Sequence, residues 1–266
     1  MRTAFIGGGT MAEAMLKGVL ARGVAEPQAI AVSDIRRERL AALAQTYGVR
    51  TSDDNRRVLE GSEVVVLAVK PQNLEAVLGE LKGAATPEQL VLSIVAGAKV
   101  ATIVGGLTHQ AVVRAMPNTP AQIGEGMTVW TASDAVSHGQ KEAARAILEA
   151  LGGQVYVPSE DLVDMATAIS GSGPAYFFLM MEALVDAAVG VGVPSAMAEE
   201  LVLHTALGAA RLATESGKHP SELREMVTSP GGTTEKALAC FEEGGFRPLV
   251  ARAVVAAYER AKELGG

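Results

Sequence analysis

The first 160 residues alternate between short apolar blocks and longer stretches with helical spacing. The blocks read "TAFIG" (3–7), "AIAVSD" (29–34), "SEVVVLAVKP" (62–71), "LVLSIVAG" (90–97), "AVVRAMPNTP" (111–120) and "GMTVWTA" (126–132). Each is the length of a buried strand. Between the first two, Met11, Ala14, Met15, Gly18 and Val19 recur at the period of an α-helix, and "IRRERLAALAQTYG" gives a charged helix after the second. Strands alternating with helices predict a parallel, doubly wound α/β sheet covered on both faces.

The strand pattern stops near Val157. Beyond it, "AYFFLMMEALVDAAVG" (175–190) and "AMAEELVLHTALGAARLA" (196–213) are helical runs that are apolar over most of their circumference. A region of about a hundred residues is too small to cover several such helices, so packing against a second copy of the chain is expected; a self-contained bundle is the alternative. The boundary divides the chain into domains 1–158 and 159–266.

Composition narrows the partners. The 266 residues carry a formal net charge of −7, without the basic surplus that nucleic-acid binding needs. Cys240 is the single cysteine and can form no intramolecular disulfide. The start "MRTAFIGGG" is too short an apolar run for a signal peptide, and Glu182 and Asp186 interrupt the most hydrophobic stretch. A cytoplasmic protein with no membrane segment is expected. His109, His138, His204 and His219 show no metal-ligand spacing, so no metal is expected.

The first turn reads "GGGTMA", Gly7 to Ala12, and fits G-x-G-x-x-G/A with Ala12 in the last place. It follows a strand and opens a helix, the context in which Gly7 permits the tight turn and Gly9 lets a pyrophosphate approach the helix N-terminus. The second strand ends in "SDIRRER". Asp34 there suits the ribose hydroxyls of NAD, whereas Ser33, Arg36 and Arg37 suit the 2′-phosphate of NADP. Asp34 as a helix N-cap beside a solvated face is the alternative. Lys70, Pro71 and Asn118 to Pro120 follow strands and border the same crevice.

Two stretches break the helical half: "SGSGPA" (170–175) and "TSPGGTTE" (228–235). An ordinary turn explains either alone. Together they add the hydroxyls of Ser170, Ser172, Ser229, Thr233 and Thr234, and Gly232 and Thr233 stand at the expected start of a helix, where N–H groups and the helix dipole hold a carboxylate.

The segments "FIGGGTMAEA", "AVKPQ", "RAMPNTP", "ISGSGPAYFFLMMEAL" and "VTSPGGTTEKAL", in this order, resemble pyrroline-5-carboxylate reductase from Thr3 to Leu264. The resemblance implies a Rossmann domain followed by an all-α dimerisation domain, and reduction of Δ1-pyrroline-5-carboxylate to L-proline by NADPH, with NADH possible. It implies homodimers that assemble further, up to decamers. Carried over, the cofactor meets Ile6, Gly7, Gly8, Gly9, Thr10, Met11, Ser33, Asp34, Arg36, Asn55, Ala68, Lys70 and Ala96. The substrate meets Glu160, Ser229, Gly232, Thr233 and Thr234, and Thr234 offers its hydroxyl to the ring nitrogen as the catalytic residue. Met226 departs from the pattern, since some relatives carry asparagine there near the nicotinamide. A β-hydroxyacid dehydrogenase or general imine reductase is the first rival, but such dehydrogenases rely on a helical-domain lysine and neither Lys218 nor Lys236 sits in that pattern. A nucleotide sensor is the second, and it would need no second-substrate loop such as "SGSGP" with "SPGGTT".

Overall fold

The computed structural model describes residues 1–265; Gly266, the end of the second expected domain, lies outside the described residues. The strands are β1 (Thr3–Ile6), β2 (Ile30–Ser33), β3 (Arg50–Ser52), β4 (Val64–Leu67), β5 (Leu90–Ser93), β6 (Val112–Met116), β7 (Gly126–Ala132) and β8 (Gly152–Tyr156). The helices among them are α1 (Thr10–Ala21), α2 (Arg37–Tyr47), α3 (Asn55–Leu59), α4 (Pro71–Leu81), α5 (Val100–Leu107) and α6 (His138–Glu149). After β8 come α7 (Glu160–Ala166), α8 (Gly173–Gly190), α9 (Ser195–Ser216), α10 (Pro220–Met226), α11 (Thr233–Glu243) and α12 (Phe246–Leu264).

The eight strands form one sheet in the order β3-β2-β1-β4-β5-β6-β7-β8. The first six are parallel, and β7 pairs antiparallel with β6 while β8 runs parallel to β7. The expected parallel sheet is therefore mixed at one edge. The cause is the link 117–125, which is too short to carry the helical crossover that a parallel neighbour requires.

Alternate residues of the inner strands enter opposite cores. Phe5, Val64, Val66, Leu90 and Leu92 pack with Met15, Leu16, Ile147 and Leu148 from α1 and α6 on one face. Ala4, Ile6, Val65, Leu67 and Val91 pack with Leu74, Leu78, Ile103 and Leu107 from α4 and α5 on the other. Both faces are covered, so these strands read in the sequence as unbroken apolar runs.

Chain compactness defines two units, Met1–Ser172 with Ala256–Gly266, and Gly173–Val255. Residues 160–172 and the end of α12 thus belong with the sheet. The second unit has almost no interior of its own: α8 buries Gly173, α9 buries Ala198, and α10 and α11 bury nothing. Phe177, Phe178, Leu179 and Leu207 are exposed, Phe177 by 69%.

One expectation for this half changes. "SGSGPA" is not a loop: Thr167–Gly171 form a π-helical turn closed by Ser172 N–H to Thr167 O (2.8 Å), and α8 begins at Gly173. Pro174 is tolerated because it stands in a first helical turn, where its missing N–H costs nothing. The helical run Glu160–Gly190 also meets the length and composition of a membrane span at mean hydropathy 1.2, despite Glu182 and Asp186.

Candidate active site

The sheet places the ends of β1 and β4 side by side, where the strand order reverses, and the loops there flank the crevice in which open α/β sheets bind ligands. Gly7 turns the chain at φ +97°, and a Cβ on it would lie 2.8 Å from the Ala68 carbonyl oxygen, so only glycine fits. Its N–H donates to Ser33 O (2.9 Å), and the Ala68 N–H donates to Ile6 O (2.9 Å). Gly9 is the N-cap of α1 and has no side-chain cap, leaving the first N–H groups of the helix, from Thr10 and Met11 onward, without an intrahelical acceptor. A Cβ on Gly9 would meet nothing within 4 Å. Open space beside uncapped donors fits a phosphate, so the turn suits the dinucleotide that the motif implies.

Asp34 lies at the end of β2 with its side chain 8% exposed. Its Oδ2 accepts the Gly8 N–H (3.0 Å), and Oδ1 accepts the Arg36 N–H (2.9 Å) and Nε (3.1 Å). Burial pushes the Asp34 carboxyl up, but the hydrogen bonds from Arg36 and Gly8 outweigh it and hold the group below its ordinary value. The carboxylate is thus anionic and wedged beneath the glycine turn. Ile6 and Ser33 are buried, and the Ser33 hydroxyl lies 2.7 Å from Asn55 Oδ1, so these two side chains support the crevice from inside. Asn55 Nδ2 donates to Glu80 Oε2 (2.8 Å). Lys70 is exposed at the N-cap of α4, and Ala68 and Ala96 are partly exposed on loops after β4 and β5.

Sequence reasoning missed Arg39. Its Nε donates to Gly8 O (2.5 Å) and Nη2 to Glu13 Oε2 (2.6 Å), and Tyr47 donates to the other Glu13 oxygen (3.0 Å). The Arg39 hydrogen bond holds the Glu13 carboxyl below its ordinary value. This brace ties α2 to the turn. An arginine one turn into α2, amid its charged face, carried no signal separating it from Arg36 and Arg37.

In the helical unit, "TSPGGTTE" resolves into a turn and a helix start. Gly232 N–H donates to Ser229 O (3.0 Å) with Pro230 and Gly231 between, Gly231 at φ +71°, the residue choice of a type II turn. Gly231 N–H donates to Glu235 Oε2 (2.8 Å). The Gly232 N–H, which the resemblance gives to the substrate carboxylate, is directed at Ser229 O inside the turn. What the loop presents is the first turn of α11, Thr233 and Thr234, with Gly232 as an N-cap lacking a side-chain cap. Ser229 and Thr233 are exposed and Thr234 partly so. Met226 is exposed, with Lys218 Nζ 3.3 Å from its sulfur.

Glu160 and Asn118 are engaged within the first unit. Glu160 Oε1 accepts Arg114 Nη1 (2.9 Å) and the Val100 N–H (2.7 Å). Asn118 donates to Ser170 O (3.0 Å) and accepts the Met127 N–H (2.8 Å). Among the described residues no three His, Cys, Asp or Glu side chains form a metal-binding group.

Residues 160–264 match the family model described as pyrroline-5-carboxylate reductase dimerisation, and residues 2–97 match one described as NADP oxidoreductase, coenzyme F420-dependent. The chain is 47% identical to the pyrroline-5-carboxylate reductase of Synechocystis sp., over 98% of this chain and 97% of the relative. The chain belongs to the pyrroline-5-carboxylate reductase family. A pyrroline-5-carboxylate reductase from Coxiella burnetii superposes with a TM-score of 0.92 at 42% identity, covering 100% of this chain and 98% of that one. The Plasmodium falciparum pyrroline carboxylate reductase, solved with NADP bound, superposes with a TM-score of 0.90 at 28% identity, covering 100% and 98%.

Proposed function

We propose that the chain reduces Δ1-pyrroline-5-carboxylate to L-proline, the last step of proline biosynthesis, with NADPH as hydride donor and NADH as a second donor. The observation that carries this reading is the Ser229–Thr234 turn, whose geometry commits its glycine N–H groups internally and leaves Thr233 and Thr234 at an uncapped helix start. A bound nicotinamide supplies the hydride; the protonated imine is already electrophilic, so the protein's work is orientation and electrostatics. The N–H groups of Thr233 and Thr234 hold the substrate carboxylate, helped by the α11 dipole. The Thr234 hydroxyl hydrogen-bonds the ring nitrogen as it becomes the amine. The uncapped α1 start receives the pyrophosphate, and Asp34 with Arg36 meets the adenosine ribose.

In this reading residues 1–158 serve the cofactor and 159–266 serve substrate binding and self-association. The exposed apolar surfaces of α8 and α9 support a homodimer, in keeping with the dimerisation family that matches there, and assembly of dimers into a decamer extends the same reading. The same pairing gives the Glu160–Gly190 run a protein partner, and the enzyme works in the cytoplasm.

The deciding experiment is oxidation of NADPH and of NADH by purified protein, with and without Δ1-pyrroline-5-carboxylate, with product identified by amino-acid analysis. Proline formed only when substrate and cofactor are both present is the expected result. Cofactor binding without proline overturns the substrate assignment.

A further inference from the structure

The loop 94–99 joins β5 to α5 and starts beside the end of β4, where the Ile94 N–H donates to Leu67 O (3.0 Å). It therefore borders the crevice opened between β1 and β4. Two sets of contacts hold it. Gly97, at φ +75°, lies against the end of α12, so that a Cβ on it would come within 2.7 Å of Leu264 O. On the other side, Lys99 Nζ donates to Asp164 Oδ2 (2.6 Å), and the Val100 N–H at the start of α5 donates to Glu160 Oε1 (2.7 Å).

Those two carboxylates are in turn joined by Arg114 of β6, through Nη1 to Glu160 Oε1 (2.9 Å) and Nη2 to Asp164 Oδ1 (2.5 Å). Arg114 and Asp164 are each 3% exposed. Two cations and two anions thus form a neutral, hydrogen-bonded cluster between the sheet, α7 and the loop. A cluster of this kind is no more stabilising than apolar side chains of the same volume, because desolvation offsets much of the attraction. What it adds is geometry: fixed donors and acceptors specify where the loop sits, as apolar contacts do not.

We propose that Lys99, Arg114 and Asp164 are positioning residues for the dinucleotide crevice, fixing the 94–99 loop against α7 so that its backbone forms one wall. None of the three is assigned a contact with cofactor or substrate. The inference rests on the cofactor half of the proposed function. Its consequence is that a change at Lys99, which leaves Glu160 with Arg114, is read as weaker cofactor binding without a matching change toward the imine substrate.

The test uses the full chain with Lys99→Met, Lys99→Arg and Asp164→Asn. Three quantities are measured: the NADPH dissociation constant by calorimetry, the melting temperature without ligand, and the KM for Δ1-pyrroline-5-carboxylate. Lys99→Met is the informative variant because Lys99 is partly exposed and its loss leaves Asp164 paired with Arg114, so the fold is kept. Lys99→Met is expected to weaken NADPH binding about tenfold, the scale of substitutions that act through neighbours, while the substrate KM stays within about twofold. Lys99→Arg, which keeps the charge and a donor, is expected to recover most of the affinity. Asp164→Asn is expected to lose more, since it strips both cations of an anionic partner. A folded Lys99→Met protein that binds NADPH as the unsubstituted chain does overturns the inference, and so does a loss shared equally by cofactor and substrate that Lys99→Arg fails to rescue. If the unsubstituted chain binds neither NADPH nor NADH, the cofactor reading itself falls and the positioning role with it.

Discussion

The Gly8 N–H donates to one oxygen of the Asp34 carboxylate across 3.0 Å, while the Arg36 guanidinium reaches both oxygens at 3.1 and 3.2 Å. A negative charge is thus fixed, with a positive charge fixed beside it, at the point where the proposed reading puts the adenosine ribose. Asp34→Asn removes the anion and is expected to shift the NADPH/NADH ratio of kcat/KM toward NADPH by about fivefold, the effect of about 1 kcal/mol for one partly screened charge. Arg36→Ala is expected to shift the ratio the other way. Initial rates with both cofactors decide it; a ratio unmoved by either change removes these residues from cofactor choice.

The same carboxylate has a pH signature. Its folded pKa lies below the ordinary value of about 3.9. The stability it contributes is therefore fully present above about pH 4 and is lost as pH falls through the lower folded value. Melting temperatures of the ligand-free chain between neutral pH and pH 2.5 are expected to show an acid decline that is shallower in Asp34→Asn. Identical declines in the two proteins would mean that other carboxylates, Glu13 among them, account for the acid limb.

Much of the sheet was legible because "VVVL" at 64–67 and "LVLS" at 90–93 are buried on both faces and so carry no polar alternation. β3, "RTS", and β8, "GGQVY", went unread because edge strands are half solvated and short. The reversed direction of β7 was not read, although the link 117–125 is too short for a helical crossover. The π-turn at 167–171 was not, since small residues that break an α-helix also permit its widening. Arg114 inside the apolar block "AVVRAMPNTP" was a sign of a buried anionic partner. Which acid it meets depends on how α7 docks on β6, and spacing along the chain does not encode that. In the candidate site, the glycine turn and the threonines at the start of α11 were visible as motifs, whereas the internal use of the Gly232 N–H needed the turn's geometry.

Gly231 is held at φ +71° in the turn ahead of α11. Gly231→Ala is expected to cost about 1–2 kcal/mol locally, displacing Thr233 and Thr234. The result is a raised KM for Δ1-pyrroline-5-carboxylate with an unchanged NADPH dissociation constant. Steady-state kinetics with calorimetry separate the two; equal losses in both would show that the turn does not belong to the substrate alone.

Thr234→Val keeps the volume and removes the hydroxyl. Its kcat/KM for the imine is expected to fall by about tenfold to a thousandfold, the range for one positioned hydrogen bond at a reacting atom. Activity close to that of the unsubstituted protein takes the catalytic role away from Thr234.

Light scattering of the purified chain is expected to give at least a dimer. Phe178→Asp, placed on an exposed apolar face of α8, is expected to lower the mass at micromolar concentration. A monomer in the unsubstituted protein removes the proposed pairing.

The scarcity of interior in Gly173–Val255 has a consequence for how a newly made chain fares in a cell. The sheet can complete its own cores as soon as it is synthesised, but the helices after it have little to fold around until another copy arrives. Their folding free energy is then set by mass action, rising with the abundance of the protein and falling on dilution. A chain without a partner is expected to be cut by protease first between residues 173 and 255, where few side chains are buried.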